Sequence, residues 1–187
     1  MPYAIVLQIE ESATPRIATL WGILAEKDPD GAVKFSDEQV RFNYPPHVTL
    51  AALEDAADRD RLVETLKSIV AGWTPVPISF DSIAVLPRKP IFPILVRPNV
   101  TDQLLRLNKE VCDAFPPDLI KPYHRPQVWQ PHVTLARDIP LEKCGQALVA
   151  VLGCWHGFET TLDRVALVYF TQEGKNWQVR ELWRAEL

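Results

Sequence analysis

The chain has 187 residues, of which 47% are hydrophobic and 24% charged, and its formal net charge is −4 at pH 7. This composition is that of an ordinary soluble globular protein, and the length suffices for one domain or for two small lobes that share a core. The acidic balance argues against non-specific binding to long nucleic acids, which needs a broad basic surface, but it leaves room for a local anion site.

No targeting or membrane segment is expected. The apolar run Tyr3–Ile9 is followed directly by two glutamates, unlike a secretory signal, and no run approaches the roughly 18 apolar residues of a membrane span. The three cysteines are widely spaced and form no CxxC pair, which predicts reduced thiols rather than a disulfide framework or a zinc site. The cysteines are Cys112, Cys144 and Cys154. We therefore expect a cytoplasmic protein.

The first half of the chain predicts strand, helix, strand, helix and strand. Tyr3–Ile9 is a β-branched, apolar run typical of a buried strand. Thr14 followed by proline predicts an N-cap and a helix start. The buried face of that helix is predicted to hold Ile17, Leu20, Trp21 and Leu24. The later elements are a polar segment at Lys27–Val40 with a turn at 28–31, a lead-in at Arg41–Pro46, the strand that begins at His47, a helix at Asp58–Val70, a strand at Val76–Leu86 and a turn at Pro87–Pro90.

The second half predicts the same succession. Phe92–Arg97 is a strand, and Thr101–Phe115 is a helix capped by its threonine. An irregular loop rich in proline and aromatic residues leads to the second histidine strand. A helix at Pro140–Val151 is predicted to point Leu141, Cys144, Leu148 and Val151 inward, and Thr161–Phe170 and Trp177–Glu186 to form a hairpin around Gln172–Asn176.

One hexapeptide occurs twice in the chain. Pro46–Ala51 and Pro131–Ala136 both read Pro-His-Val-Thr-Leu-Ala, with the histidines at His47 and His132. Because side chains alternate between the two faces of a strand, each copy predicts a strand that buries Val and Leu and presents His beside Thr on the other face. Packing alone would not require His and Thr together at equivalent places, so the repetition favours a functional role.

The two hexapeptides lie in halves that share one plan and matched spacing. We therefore predict an internal repeat, with residues approximately 1–90 and 91–187 as its two units, in a single domain. The predicted fold class is α+β, with two pseudo-symmetric lobes, each a mainly antiparallel sheet with two helices. A pseudo-two-fold axis would bring His47 and His132 to face each other across a cleft between the lobes.

Two kinds of site could use a pair of histidines. Zinc usually needs three or four protein ligands, whereas each strand here offers one histidine, so no metal is expected. General acid–base catalysis fits better, because an ordinary histidine pKa of about 6.5 lets one imidazole be neutral and the other protonated near neutral pH. At a phosphodiester, one would deprotonate the nucleophile, the other would protonate the leaving oxygen, and the threonine hydroxyls would bind the phosphate oxygens.

Two His-x-Thr motifs in duplicated halves resemble those of the two-histidine (2H) phosphoesterase superfamily, which includes RNA 2′,3′-cyclic phosphodiesterases, also called 2′–5′ RNA ligase-like proteins. The resemblance extends in element order from Tyr3 to Leu187. It implies a bilobal α+β fold, a central cleft, and catalysis without a metal or another cofactor. Carried over by motif, the acid–base pair is His47 and His132, and the phosphate ligands are Thr49 and Thr134. The sequence does not decide which histidine is the acid.

Further candidates for substrate binding are aromatic or basic residues, and for each the alternative is an ordinary packed or solvated side chain. Tyr3 opens the first strand, where members of the superfamily often place an aromatic near the cleft. Tyr44 and Trp129 each precede a motif by three residues and could frame the cleft for base stacking. The proline-rich loop around His124 is a candidate substrate lid. The remaining candidates are Arg125 in that loop, Tyr169 on a strand after the second motif, and two arginines that could meet phosphate, Arg41 and Arg137.

We expect a metal-independent phosphodiesterase that opens 2′,3′-cyclic phosphates of RNA ends or small nucleotides. If a ribose 5′-hydroxyl replaced water, the same chemistry run backwards would form a 2′–5′ linkage. Open alternatives are a 2′–5′ phosphodiesterase or ligase, RNA 3′-end trimming on the same fold, and a non-catalytic nucleotide- or RNA-binding module. The expected partner is a nucleotide or short RNA with a cyclic phosphate and not a membrane, and the expected oligomeric state is a monomer.

Overall fold

The computed structural model describes residues 3–26, 44–54, 58–86, 92–137, 139–173 and 176–187. These residues form seven strands and four α-helices, with short 3-10 turns at Glu11–Ala13 and Pro122–His124. The strands are β1 (Tyr3–Ile9), β2 (His47–Leu53), β3 (Val76–Val85), β4 (Ile94–Pro98), β5 (Val133–Ala136), β6 (Phe158–Glu173) and β7 (Asn176–Glu186). The helices are α1 (Thr14–Glu26), α2 (Arg59–Val70), α3 (Asp102–Ala114) and α4 (Leu141–Leu152).

Every predicted strand and helix is present, with boundaries that differ by a few residues. The largest difference is β6, which extends beyond Thr161–Phe170 at both ends because its first residues pair with β3 and its last residues pair with β7. Some expectations lie outside the described residues. These are the polar segment Lys27–Val40 with its turn, the lead-in residues 41–43 with Arg41, the turn Pro87–Pro90, and the hairpin tip at Gly174 and Lys175.

The predicted helix caps have different outcomes. Thr101 caps α3 as expected, since its hydroxyl accepts a hydrogen bond from the Leu104 amide at 3.2 Å. The expectation that Thr14 caps α1 is wrong, because Thr14 has helical backbone angles and its hydroxyl donates to the Glu10 carbonyl. The 3-10 turn before Thr14 already supplies the first helical turn, so the chain enters α1 without a side-chain cap at that residue.

The predicted inward face of α4 needs one correction. Ala147 and Val151 are the buried residues, and Leu141 is 67% exposed. At about 100° per residue, Leu141 lies roughly 80° around the helix from Val151, at the margin of the buried face. Cys144 and Leu148 lie between Leu141 and Val151 around the helix, and both are partly buried against the core.

The strands form one sheet whose order is symmetric. The order is β2-β1-β6-β3-β4-β5, and β7 adds to β6. Because β1, β2 and β3 hold the same places in the first half as β4, β5 and β6 in the second, this order reads the same from both ends. The third strand of each half therefore pairs with the first strand of the other half. At the centre β3 pairs with β6, with Ile78 opposite Thr160.

The two faces of the sheet have different roles. Ile5, Leu7 and Ile9 point to the face that packs on the helices and forms the main core. Ala4 and Val6 point to the opposite face, named here the site face. β2 and β5 stand at the two ends of the strand order and yet contact each other, so the sheet curves until the histidine strands meet. The predicted α+β class with two pseudo-symmetric, antiparallel lobes is confirmed.

Each half also braces the other through its first helix. α1 of the first half contacts β5, and α3 of the second half contacts β2. The histidine strand of each lobe is thus held by a helix from the opposite lobe. Among the described helices, none has both the length and the apolar composition that crossing a membrane requires.

Candidate active site

The first motif lies at the start of β2. His47 is opposite Gln8 of β1, and Thr49 is opposite Val6. Directly opposed residues of antiparallel strands share a face, so His47 and Thr49 lie on the site face with Val6. Val48 between them is completely buried in the main core. The alternation predicted from the hexapeptide is therefore present in this lobe.

The second motif repeats this arrangement at β5. Thr134 is opposite Leu95 of β4, and Val133 is opposite Val96. Because both valines belong to the main core, Thr134 and the preceding His132 lie on the site face of the second lobe.

A β-bulge follows the threonine in both motifs. The register passes over Leu50 in β2 and over Leu135 in β5, and both leucines are completely buried. A bulge places one extra residue in a strand and bends it locally, and such bends re-aim neighbouring side chains. Both histidine strands thus bend at the same point, directly after the residue that would bind phosphate.

A backbone carbonyl orients each imidazole. His47 Nδ1 lies 3.0 Å from the Pro45 carbonyl oxygen, and His132 Nδ1 lies 2.7 Å from the Gln130 carbonyl oxygen. A carbonyl oxygen only accepts hydrogen bonds, so Nδ1 of each ring carries the hydrogen and donates it. This fixes the tautomer and leaves Nε2 of both rings as the atom that can take up or release a proton.

The two histidines differ in their surroundings. His47 is 9% exposed, and its ring packs edge-on against Tyr44 with ring centroids 4.8 Å apart. Burial, helped by the positive charges of Arg137 and His132, lowers the pKa of His47 to about 4, although the Pro45 carbonyl opposes the shift. His47 is therefore neutral near pH 7. His132 is only partly buried.

Buried polar groups accompany His47 on its side of the site. Gln8 is 1% exposed, and its amide donates to the Glu181 carboxylate at 3.1 Å. The Tyr44 hydroxyl is buried near both and has no hydrogen-bond partner of normal geometry among the described residues. Burial raises the pKa of the Tyr44 phenol well above its usual value, and the Glu181 carboxylate adds to the shift. The Tyr44 phenol is therefore neutral, and its buried ring shields His47 from water.

Residues from the opposite half hold the backbone of both motifs. The Trp129 indole donates to the Thr49 carbonyl at 2.9 Å, and the Trp21 indole donates to the Thr134 carbonyl at 3.1 Å. Asn108 of α3, which is completely buried, donates to the Leu50 carbonyl at 2.8 Å. These bonds satisfy carbonyls around the bulges and fix the positions of the two threonines.

The histidine and threonine side chains of the two motifs suit proton transfer better than metal binding. Among the residues that the structure describes, no three His, Cys, Asp or Glu side chains come together as a metal site requires. Two imidazoles with exchangeable Nε2 atoms and two threonine hydroxyls occupy one face of a curved sheet. Such a set can bind a tetrahedral anion and move one proton on each side of it.

A family model, the 2′-5′ RNA ligase superfamily, matches residues 10–174 of the chain. The chain belongs to this superfamily. The match confirms the resemblance inferred from the two His-x-Thr motifs. A protein of Geobacillus kaustophilus that is named as a candidate phosphoesterase is 29% identical over 143 residues, which are 73% of this chain and 76% of the relative.

Solved structures share the fold of this superfamily member. The protein TT0787 of Thermus thermophilus aligns with a TM-score of 0.72 and 15% identity, over 100% of this chain and 98% of that one. E. coli LigT complexed with 3′-AMP aligns with a TM-score of 0.62 and 13% identity, over 100% and 96%. At these identities, the likeness concerns the fold alone.

The structure brings only some of the predicted substrate-binding residues to the histidines. Tyr44 contacts His47 directly. Tyr3 and Tyr169 pack together with ring centroids 4.9 Å apart, and Tyr3 follows the alternation of Ile5 and Leu7, which places it on the helix-packed face.

The candidates in the long loop have contacts other than the two imidazoles. Trp129 is 7% exposed and belongs to the main core, so its role is the backbone bond described above. Arg125 donates to the Pro117 carbonyl at 3.1 Å, within its own loop. His124 is buried, and its carbonyl accepts a hydrogen bond from Asn108. This part of the loop is packed against α3.

Sequence reasoning missed polar residues on the strands beside the motifs. Gln8 and Arg97 each interrupt an apolar strand on the site face, Gln8 opposite His47 and Arg97 on the strand that pairs with β5. A single polar residue in an otherwise apolar strand was the available signal. Arg137 was named only as a general basic residue, although it directly follows the second hexapeptide and acts electrostatically on His47. The first hexapeptide is followed by alanine at the equivalent place, Ala52.

Proposed function

We propose that this protein is a metal-independent phosphodiesterase that opens 2′,3′-cyclic phosphates of RNA ends or small nucleotides. The observation that carries the proposal is the pair of imidazoles, each with Nδ1 bound to a carbonyl, beside a threonine at a bulge. Membership of the 2′-5′ RNA ligase superfamily supports phosphoester chemistry.

The two histidines have different roles in the proposed reaction. His47 is the base, because burial keeps it neutral near pH 7. Its Nε2 takes a proton from water as the water oxygen bonds to phosphorus. The bond between phosphorus and one ribose oxygen breaks, and protonated His132 gives its Nε2 proton to that leaving oxygen. The product is a phosphomonoester, and both histidines return to their starting states by exchanging protons with solvent.

The threonine hydroxyls and Arg137 would hold the phosphate. Thr49 and Thr134 are equivalent in the two lobes, so they can donate to different non-bridging oxygens of one phosphate. Charge on these oxygens increases in the transition state, and fixed donors stabilise it without reorganising. Arg137 adds a positive charge near His47 that favours an anion and disfavours protonation of the base.

The proposed substrate is a nucleotide or a short RNA rather than a long one. The formal net charge of −4 disfavours long polyanions. The structure of LigT complexed with 3′-AMP supports a nucleotide of similar size for this fold, since 3′-AMP carries the kind of phosphomonoester that ring opening produces.

The test uses a short RNA that ends in a 2′,3′-cyclic phosphate, in excess EDTA. Wild type should open the ring, and His47→Ala and His132→Ala should each lower kcat by about 10²–10⁴-fold. The matched control is His156→Ala, an exposed histidine before β6, which should leave kcat unchanged. Activity that EDTA abolishes would contradict the mechanism. Binding of the RNA by wild type without turnover would instead support a binding module.

A further inference from the structure

Arg97 lies beside His132 on the strand next to the second motif. In β4, Ile94 and Val96 point into the main core, so Leu95 and Arg97 point to the site face. The register of β4 and β5 ends with Val96 opposite Val133, and continuing it by one residue brings Arg97 and His132 opposite each other. Neighbouring strands are about 4.8 Å apart, so His132 is within reach of the long Arg97 side chain.

The Arg97 guanidinium has no acidic partner among the described residues. Arg97 is partly buried, and its guanidinium forms no ion pair or hydrogen bond with any residue that the structure describes. Arg164 of β6, on the same face opposite Gln8, differs, because it lies 3.2 Å from the Asp163 carboxylate and 4.0 Å from the Glu186 carboxylate. Arg97 is thus a site-face arginine whose charge none of the described carboxylates compensates.

The equivalent position in the first lobe is neutral. Gln8 stands opposite His47 as Arg97 stands opposite His132, and the Gln8 amide is tied to Glu181. The neighbouring strands therefore differ in charge: β4 carries Arg97, whereas β1 carries Gln8, which is bonded to Glu181. A partly buried guanidinium without a carboxylate favours a planar fork of contacts to an anion, and phosphate fits this geometry.

We propose that Arg97 binds a second phosphate group of the substrate, on the His132 side of the site. This inference rests on the proposed function, in which both motifs and Arg137 hold the reacting phosphate. Arg97 is one strand farther out, so it suits a phosphate that neighbours the reacting one. That group is either the 5′-phosphate of a mononucleotide or the preceding phosphodiester of an RNA end, and both present the same anionic oxygens.

The test measures equilibrium binding of unreactive, product-like probes by calorimetry. The probes are 3′-AMP, adenosine 3′,5′-bisphosphate and the dinucleotide ApAp. Wild type should bind one or both of the last two about tenfold more tightly than 3′-AMP, and Arg97→Gln should remove that preference while leaving 3′-AMP binding within about twofold. Arg97→Lys should restore part of it, since it keeps the charge and loses the fork. The preferred probe identifies the source of the second phosphate.

The control and the contradicting outcomes separate this inference from the proposed function. Arg59→Gln, an exposed arginine at the start of α2, should change none of the three affinities. Absence of a preference in wild type, or a preference that survives in Arg97→Gln, would overturn the second-phosphate site. An equal loss for all three probes would overturn it as well, by assigning Arg97 to the reacting phosphate. None of these results depends on turnover, so failure of the ring-opening assay is a distinct outcome.

Discussion

The two histidine-bearing halves share one motif and differ in what surrounds it. Both have the same hexapeptide, the same bulge after threonine and the same Nδ1 contact to a carbonyl two residues earlier. The first half then buries its histidine under Tyr44, and the second leaves its histidine partly open beside Arg97. Two identical motifs thus have different surroundings, and burial lowers the pKa of His47 alone among the shifts seen at the two motifs.

The threonines offer the largest test of what the halves share. Thr49→Val and Thr134→Val each remove a hydroxyl and keep the β-branched shape, so each should lower kcat/KM for a cyclic phosphate by about 10²–10³-fold. Similar losses would show that both hydroxyls bind the reacting phosphate. Thr19→Val on the exposed side of α1 is the control and should have no effect. A loss below about tenfold at either motif would contradict the equivalence of the two threonines.

The pH dependence of stability tests what differs between the halves. The folded pKa of His47 is about 4 and the ordinary value is 6.5, so the unfolded chain binds this proton more readily. The contribution of His47 to the free energy of unfolding is fully present above pH 6.5 and is lost as pH decreases towards 4. Between pH 7.5 and 5, the His47 contribution to this loss should be about 2 kcal/mol.

The measurement is urea unfolding of wild type and His47→Gln at both pH values. Glutamine does not titrate, so the variant should lack this part of the loss. An equal pH dependence in both proteins would mean that burial does not suppress the charge of His47.

The tryptophans test the bracing between halves, with the smallest expected effect. Trp129→Phe and Trp21→Phe remove the indole donor to a motif carbonyl, and each should cost about 1 kcal/mol of stability in urea unfolding. Both should also lower kcat, because the threonines move. Trp73→Phe is the matched control, since the Trp73 indole donates a 2.7 Å hydrogen bond to the Glu110 carboxylate and not to a motif carbonyl. It should cost stability without changing kcat, and a fall in kcat as large as at Trp129 would contradict a specific bracing role.

The sequence predicted the parts of the molecule that local rules determine. The alternation of His-Val-Thr-Leu was enough to place both motifs on strands, and the repeated plan was enough to predict two related lobes. The exchange of third strands between halves depends on long-range pairing, which no local pattern encodes. The bulges at Leu50 and Leu135 depend on register and were equally hidden.

The positions of the aromatic candidates in the fold could not be predicted from their positions along the chain. Tyr3 was a candidate because the superfamily often places an aromatic there, and Trp129 because it precedes a motif by three residues; strand parity and core packing place both side chains in the packed alternative. Tyr44 was proposed on the same ground and does contact His47. The three differ in tertiary packing, which closeness in sequence does not determine.

The pH profile of kcat/KM for a cyclic phosphate tests the central claim most directly, because it reports the protonation of the free enzyme's base. The claim is that buried His47 acts as a neutral base. If so, kcat/KM should stay level on its acid side from pH 7 to about 5, and Tyr44→Ser, which admits water to His47, should move the acid limb up towards 6.5. A wild-type rate that already falls about tenfold per pH unit below 6.5, with the protein folded, would contradict the claim.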